Sequence, residues 1–343
     1  MTTLSEVPSE RGERRVRAQD VATLAGVSTQ TVSRVVNGAA NVRPATRDRV
    51  VEAMAKLGYA PSQAARALRS GKLDTIGVIV HHLARTGEAR IMESVARTAH
   101  RYGYAVTLLD ASSESASDMN TALQNLRHDI AGLVILSLET AEIEHVRMPG
   151  RLPVVAADSR ALVHPSVGFD QRGGARLAVT HLLGLGHSTV HLLAGPVSSL
   201  QAGEREDEWR QVLLASDRTV VEPFHGDWTL ASGYRIGRRL AEDPAVTAVF
   251  AANDEMAAGL LRALYEAGKR VPQDVSVVGF DDILAGYLWP PLTTVHQDFP
   301  AMGETLVRAL VNQFETGTRS AQPVASLIPA RLALRQSTSA PGG

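Results

Sequence analysis

The sequence predicts a small all-α headpiece, a short connecting helix and a two-lobe α/β core with parallel sheets. Three observations carry this. Residues 18–37, AQDVATLAGVSTQTVSRVVN, read as two short helices broken by one glycine. Residues 1–72 hold 12 Lys and Arg against 6 Asp and Glu, a balance of +6, whereas the remainder of the 343-residue chain carries −7. From Thr75 onward, apolar runs of strand length alternate with helical stretches.

Taken in order, residues 1–16 are mostly polar and charged and are expected to form a disordered arm. The headpiece, 17–60, opens on a helix whose apolar set is Val21, Ala22, Leu24 and Ala25. Gly26 then permits a sharp turn, and Ser28 is placed to cap the next helix. Val32, Val35 and Val36 form the buried stripe of that second helix. Thr29, Gln30, Thr31, Ser33 and Arg34 project outward, with no acidic residue among them. This is the form of a helix-turn-helix whose second helix enters the DNA major groove. Pro44 opens a third helix, 44–57, with Val50, Val51, Met54 and Leu57 inward and Gly58 as its stop. A joint at Tyr59-Ala60-Pro61 leads into a linker, 61–73, whose residues 62–69, SQAARALR, form a short alanine-rich hinge helix. Eight residues are marginal as an isolated helix. This one is expected to order only against DNA and its copy from a partner subunit.

In the core, strands are expected at 75–80, 105–109, 132–136, 153–156, 189–193, 248–251 and 276–280. Helices fall at 89–101, 116–128, 173–185, 232–241 and 254–267. Repeated βαβ units of this kind build parallel sheets covered on both faces. Counting them gives one lobe over 74–169 and a second over 170–297. A helix at 301–314 and a strand pair near 326–334 return across both, adding 298–326 to the first lobe and 327–335 to the second. Residues 336–343 read as a disordered polar tail. Two such lobes place a ligand cleft between them, beyond the carboxyl ends of the strands.

Composition narrows the function classes. The chain has no cysteine, which excludes disulfides and thiolate chemistry. No apolar run reaches the ~18–20 residues of a membrane span, and the amino terminus lacks the apolar core of a secretory signal, so a cytoplasmic protein is expected. No G-x-G-x-x-G follows the first strand, and neither a P-loop nor a G-x-S-x-G elbow occurs. An α/β enzyme is therefore disfavoured, and no cofactor is expected. A transport binding protein would share the two lobes but not the headpiece. A basic end on an acidic body suits a polyanion partner.

Six blocks in this order resemble the LacI family of bacterial transcription regulators: GVSTQTVSRVVN (26–37), LLAGPVSS (192–199), GDW (226–228), ANDEMAAG (252–259), VVGFDD (277–282) and PPLTTVHQDF (290–299). The resemblance spans about residues 16–335. It implies a non-enzymatic dimeric repressor with a DNA-binding headpiece, a hinge helix and a core of the periplasmic-binding-protein type. It also implies a palindromic double-stranded operator, with half-sites about one DNA turn apart, and release by a small effector. No terminal leucine heptad follows, so a homodimer is expected and not a tetramer.

On the DNA side, Thr29, Gln30 and Arg34 are the base-reading candidates, since glutamine matches adenine and arginine matches guanine in bidentate pairs. A phosphate contact or an intraprotein pair is the other reading of Arg34. Thr31, Ser33, Asn37 and Arg43 are candidates for backbone contacts. Leu68 matches the family leucine that wedges into the minor groove; packing against the core is its other reading. Arg17 stands where the family usually has a capping threonine, leaving the first helix with only Asp20 to complement its dipole.

The family's sugar-contacting positions map to Arg205, Trp228, Asn253 and Asp281. An arginine, an amide and a carboxylate suit vicinal hydroxyls, and an aromatic plane covers the C–H face of a sugar. Asp158, just after the strand at 153–156, is a further cleft candidate, as is His81. His81 and His82 stand where the resemblance has small serines and read either as a bulkier, differently hydrogen-bonded pocket edge or as partly exposed strand-end residues. Adjacent strand residues point to opposite faces, so a metal site is not expected. The segment Gly203-Glu204-Arg205-Glu206-Asp207-Glu208 departs from the family pattern, surrounding one arginine with four acids. They form either a solvated face or, with one turned inward, a partner for Arg205. A sugar or glycoside effector is expected; a corepressor or a non-sugar metabolite is the alternative.

Overall fold

A computed structural model describes residues 16–36, 39, 41–59, 74–80, 83–110, 116–125, 130–136, 147, 152–160, 164–316 and 325–342. The chain divides into two compact units, 1–72 and 73–343. The hinge segment 62–69, with Leu68, lies outside the described residues, as do Asn37, His81 and His82.

The amino-terminal unit holds α1 (Ala18–Ala25), α2 (Thr29–Val36) and α3 (Pro44–Leu57). Gly26 at φ 63° and Gly58 at φ 61° close α1 and α3 in the left-handed conformation that glycine adopts without strain. Val21, Ala22, Ala25, Val32, Val35, Val50 and Ala53 make a single small core. Two expected core residues are not in it: Leu24 and Val51 are 52% and 54% exposed. Each lies about 100° round the helix from its buried predecessor or successor, so the apolar stripe passes beside it. Ala53 fills the place assigned to Val51.

The larger unit contains two six-stranded sheets. The first uses β1 (Thr75–Val80), β2 (Ala105–Asp110), β3 (Gly132–Leu136), β4 (Val154–Ala157), β5 (Ser166–Phe169) and β11 (Ala325–Ile328). Their order is β11-β5-β4-β3-β1-β2, with every pairing parallel. The second uses β6 (His191–Ala194), β7 (Phe224–His225), β8 (Ala248–Ala251), β9 (Ser276–Asp281), β10 (Thr293–His296) and β12 (Arg331–Ala333). It runs β12-β10-β9-β8-β6-β7 and is parallel except for β12. Both sheets thus share one winding order. The helices α4 (Thr86–Arg101), α5 (Ala116–Asn125), α6 (Gln171–Gly184), α7 (Leu200–Ala215), α8 (Leu230–Glu242), α9 (Asp254–Glu266) and α10 (Phe299–Thr316) complete the unit. Strand residues such as Val78, Leu133, Leu192 and Val277 are fully buried, as double coverage requires.

Two departures from the sequence reading stand out. The strands β5 and β10 were not expected, because four residues such as SVGF or TTVH carry little periodicity of their own. The tail at 336–342 is not disordered. Ser337 is fully buried, its carbonyl accepts from Val277 N at 2.8 Å, and its hydroxyl accepts from Thr293 N at 2.8 Å. His187 Nε2 lies 3.0 Å from the Ser339 carbonyl. A run of small polar residues reads as disorder in sequence; here its backbone and hydroxyls fill the hydrogen-bonding capacity of β9 and β10.

Candidate functional site

In the headpiece, Thr29, Gln30 and Arg34 are exposed on α2. Thr31 and Ser33 are half-buried. Thr31 is committed to the helix start: its amide donates to Ser28 Oγ at 3.1 Å, and the two hydroxyls lie 3.0 Å apart. Arg43 is exposed and precedes α3. Arg17 gives α1 no side-chain cap; instead its own amide donates to Asp20 Oδ2 at 2.7 Å. The outer face of α2 therefore offers a glutamine amide and a guanidinium without an acid beside them.

In the core, a cavity of about 450 Å³ opens between the lobes. The first lobe contributes residues after β1 (Arg85, Glu88, Ile91), Phe169 and Phe299. The second contributes Gln171, Gln201, Arg205, Trp228, Asn253, Glu255, Asp281 and Gln297. Most follow strand ends, where the winding order reverses between β1 and β3 and between β6 and β8. Arg205, Trp228, Asn253 and Asp281 are thus brought together as the resemblance implied.

Arg205 is buried on α7 and fixed on several sides. Nε donates to Gln171 Oε1 at 2.7 Å, Nη1 donates to the Ala252 carbonyl, and Nη2 lies 3.6 Å from Asp281 Oδ1. Its guanidinium carbon stacks 3.7 Å over the Phe280 ring and 5.4 Å from the Trp228 ring. Burial of a cation needs such compensation. Trp228 takes φ 71° and enters beside Gly195, where a Cβ would sit 2.4 Å from the indole. Asn253 caps α9: Oδ1 accepts from Met256 N at 2.9 Å, while Nδ2 donates to the Trp228 carbonyl at 3.0 Å and Glu255 Oε2 at 2.9 Å. It therefore holds Trp228 and Glu255 as well as facing the cavity.

Asp281 and Asp282 have φ of 101° and 58°, left-handed backbone that costs non-glycine residues on the order of 1–2 kcal/mol each. Burial pushes the Asp281 carboxyl up to about 6, with Arg205 drawing it back down. Asp254 is fully buried beneath the cleft, accepting from Thr294 Oγ1 at 2.7 Å and Ile283 N at 2.9 Å. Burial, reinforced by Asp281, pushes its carboxyl up to about 7.

Asp158 does not line the larger cavity itself. It is held by Arg160 through Nε at 3.0 Å and Nη2 at 2.7 Å, and it lines an adjoining cavity of about 50 Å³ that shares Ile91, Phe169, Gln171 and Gln201 with the cleft. A carboxylate two residues from an arginine in a tight turn satisfies itself locally. None of the four acids on α7 lines the cleft. Glu204 accepts from Ser159 Oγ at 2.9 and 3.0 Å, and Glu206 pairs with Arg210. Asp207 pairs with Arg172, and buried Glu208 takes Arg176 Nε at 2.7 Å. Trp209, also on α7, is a core residue bonded to the Val190 carbonyl.

Sequence reasoning missed Gln297. It is 4% exposed, lines the cleft, and its Nε2 has no hydrogen-bond partner among the described residues. It missed Gln171 and Phe280, which orient Arg205, and the aromatic pair Phe169–Phe299, edge-on at 5.3 Å. The signal for Gln297 was its place between an apolar strand and a helix, within the block PPLTTVHQDF.

A helix-turn-helix headpiece on a two-lobe binding core defines a class: DNA-binding regulators that carry their own ligand sensor. Residues 18–62 match the bacterial regulatory proteins of the lacI family, and residues 179–338 match a periplasmic binding protein-like domain. The lactose operon repressor of Escherichia coli K12 is 36% identical over 95% of this chain and 91% of its own length. The crystal structure of the lac repressor dimer bound to operator and the anti-inducer ONPF covers 95% of this chain and all of that one, at 35% identity and a TM-score of 0.82. A transcriptional regulator CelR–cellobiose complex covers 94% of this chain and all of that one, at 32% identity and a TM-score of 0.70. The chain belongs to the lacI family of bacterial transcription regulators. It is a sequence-specific DNA-binding repressor, not an enzyme. No helix among the described residues is long and apolar enough to cross a membrane.

Proposed function

We propose that this protein represses transcription in the cytoplasm by gripping a palindromic operator as a homodimer, and that a small neutral sugar or glycoside in the inter-lobe cleft releases it. The single observation carrying the effector class is the pairing of buried Arg205 with half-buried Asp281, beside Trp228 and the unpartnered Gln297 amide. Together they offer donors and acceptors for vicinal hydroxyls and a ring for an apolar sugar face. Tyr265 and Trp289, 81% and 88% exposed, line one surface hollow with Leu261 and Pro290, an apolar face suited to a second copy. On the operator, Gln30 and Arg34 read base edges, Thr29 supports them, and Ser33, Asn37 and Arg43 meet phosphates. Leu68 enters the minor groove.

Ligand and operator are linked: effector weakens DNA binding only as far as it prefers the core conformation that does not hold the hinge on DNA. The test is selection of operator fragments from genomic DNA, followed by titration with lactose, cellobiose and ribose. Loss of operator affinity with one of these supports induction. A gain identifies a corepressor, and no sequence preference with or without sugar rejects the reading.

A further inference from the structure

We propose that Arg335, the residue just before the carboxyl-terminal tail, is a positioning residue of the effector cleft that acts through Asp282 on Asp281. The inference rests on the reading of that cleft as the effector site. Asp281 ends β9, the strand that also supplies Phe280 beneath Arg205. Its φ of 101°, followed by 58° at Asp282, places two consecutive side-chain-bearing residues in left-handed backbone. Such a turn persists only where its surroundings over-determine it. Asp254 supplies part of those surroundings, Oδ2 accepting from Ile283 N at 2.9 Å, and Arg335 and His296 supply the contacts to Asp282. Arg335 Nη2 donates to Asp282 Oδ1 at 2.7 Å, Nη1 donates to the Leu292 carbonyl at 2.9 Å, and the Arg335 amide donates to Thr293 Oγ1 at 2.9 Å. His296 Nδ1 lies 3.0 Å from the other Asp282 oxygen.

One guanidinium therefore ties the turn after β9 to the residue preceding β10. The tail beyond it is itself pinned, through Gln336 N to the Pro291 carbonyl at 2.9 Å and Ser337 to β9 and β10. Arg335 touches neither the cavity nor Arg205. Its effect is to hold Asp282 so that the neighbouring carboxylate faces Arg205 at 3.6 Å. Lysine has a single point charge and cannot bridge carboxylate and carbonyl in the same fixed plane.

The experiment compares the full chain with Arg335→Met, Arg335→Lys, Asp282→Asn and the Arg335→Met/Asp282→Asn double variant. Hydrogen exchange of backbone amides 279–284 in the unliganded protein is the first readout. The proposal expects Arg335→Met to speed it at least tenfold, while amides of α6 and α8 and operator affinity without sugar stay within twofold. The second readout is the dissociation constant of whichever of lactose, cellobiose or ribose binds the wild type, followed by Trp fluorescence. It is expected to rise at least tenfold in Arg335→Met and nearly as far in Arg335→Lys, with the double variant no worse than the single ones. Unchanged exchange at 279–284, or a probe affinity within twofold, overturns the proposal. So does exchange that rises equally across the second lobe, the mark of a general structural role. If none of the three sugars binds the wild type, the sugar reading of the cleft falls, and the exchange measurement alone decides whether Arg335 holds the turn.

Discussion

The guanidinium carbon of Arg205 lies 3.7 Å over the centre of the Phe280 ring. A fully buried aromatic face thus supports a buried cation before any ligand arrives, and the next residue along the strand, Asp281, supplies the counter-charge. Ring and carboxylate come from one strand end, so β9 sets the orientation of Arg205 together with Gln171 and the Ala252 carbonyl. Preorganisation of this kind removes ordering costs from the binding step. Replacing Arg205 by lysine keeps the charge but loses the stacked plane and the fork. Effector affinity is expected to fall at least tenfold, about 1.4 kcal/mol, by isothermal titration. An unchanged affinity would remove Arg205 from the site.

Gln297 is expected to show opposite effects on stability and binding. A buried donor without a partner costs about 1–3 kcal/mol, so Gln297→Leu stabilises the unliganded core, read as a rise in melting temperature. The same change lowers effector affinity about tenfold, because the leucine cannot donate to a hydroxyl. If the variant binds effector as well as the wild type, the amide is not a ligand contact.

Asp254 makes stability depend on pH with a definite sign. Its carboxyl titrates near 7 in the folded protein and in the ordinary carboxylate range, about 4, when unfolded. Between those values the folded state binds more protons, so its stability falls as pH rises from about 4 to 7. Asp281 adds the same sign over the narrower window up to about 6. Asp254→Asn mimics the protonated form. Melting curves at pH 5 and pH 7.5 are expected to show a variant whose advantage over wild type grows with pH. A constant difference at both pH values rejects the assignment.

On DNA, Arg34→Ala and Leu68→Ala are expected to separate. Loss of a guanine-reading Arg34 costs about 1–3 kcal/mol and relaxes the sequence preference at one position. Loss of a wedging Leu68 weakens operator binding far more than non-specific binding, since only the kinked operator uses the wedge. Gel-shift titrations on operator and random duplexes check both, and equal losses on both duplexes would reject the wedge.

Much of the fold was legible because its signals are local. Gly26 and Gly58 ended helices where a left-handed residue was needed, and Val78 or Val277 sit in apolar runs that only doubly covered strands bury. Legibility failed where the partner is distant. The burial of Ser337 depends on Thr293 and Val277, and nothing within STSAPGG announces that. Asp158 reads as a cleft residue because it follows a strand, the position cleft residues share; that Arg160 occupies its carboxylate, at the margin of the cleft, was signalled only by their nearness in sequence. Within the cleft, Arg205 was legible by resemblance, whereas Gln171 and Phe280 were not, since their role is to orient another side chain.

The backbone passes between the two sheets three times, at 169–171, 296–299 and 328–331. Three short covalent tethers resist sliding of one half past the other but yield to bending about their common line. Whatever occupies the space above them is therefore reported as an angle, and a small swing at that joint becomes a larger displacement at the far end of either half.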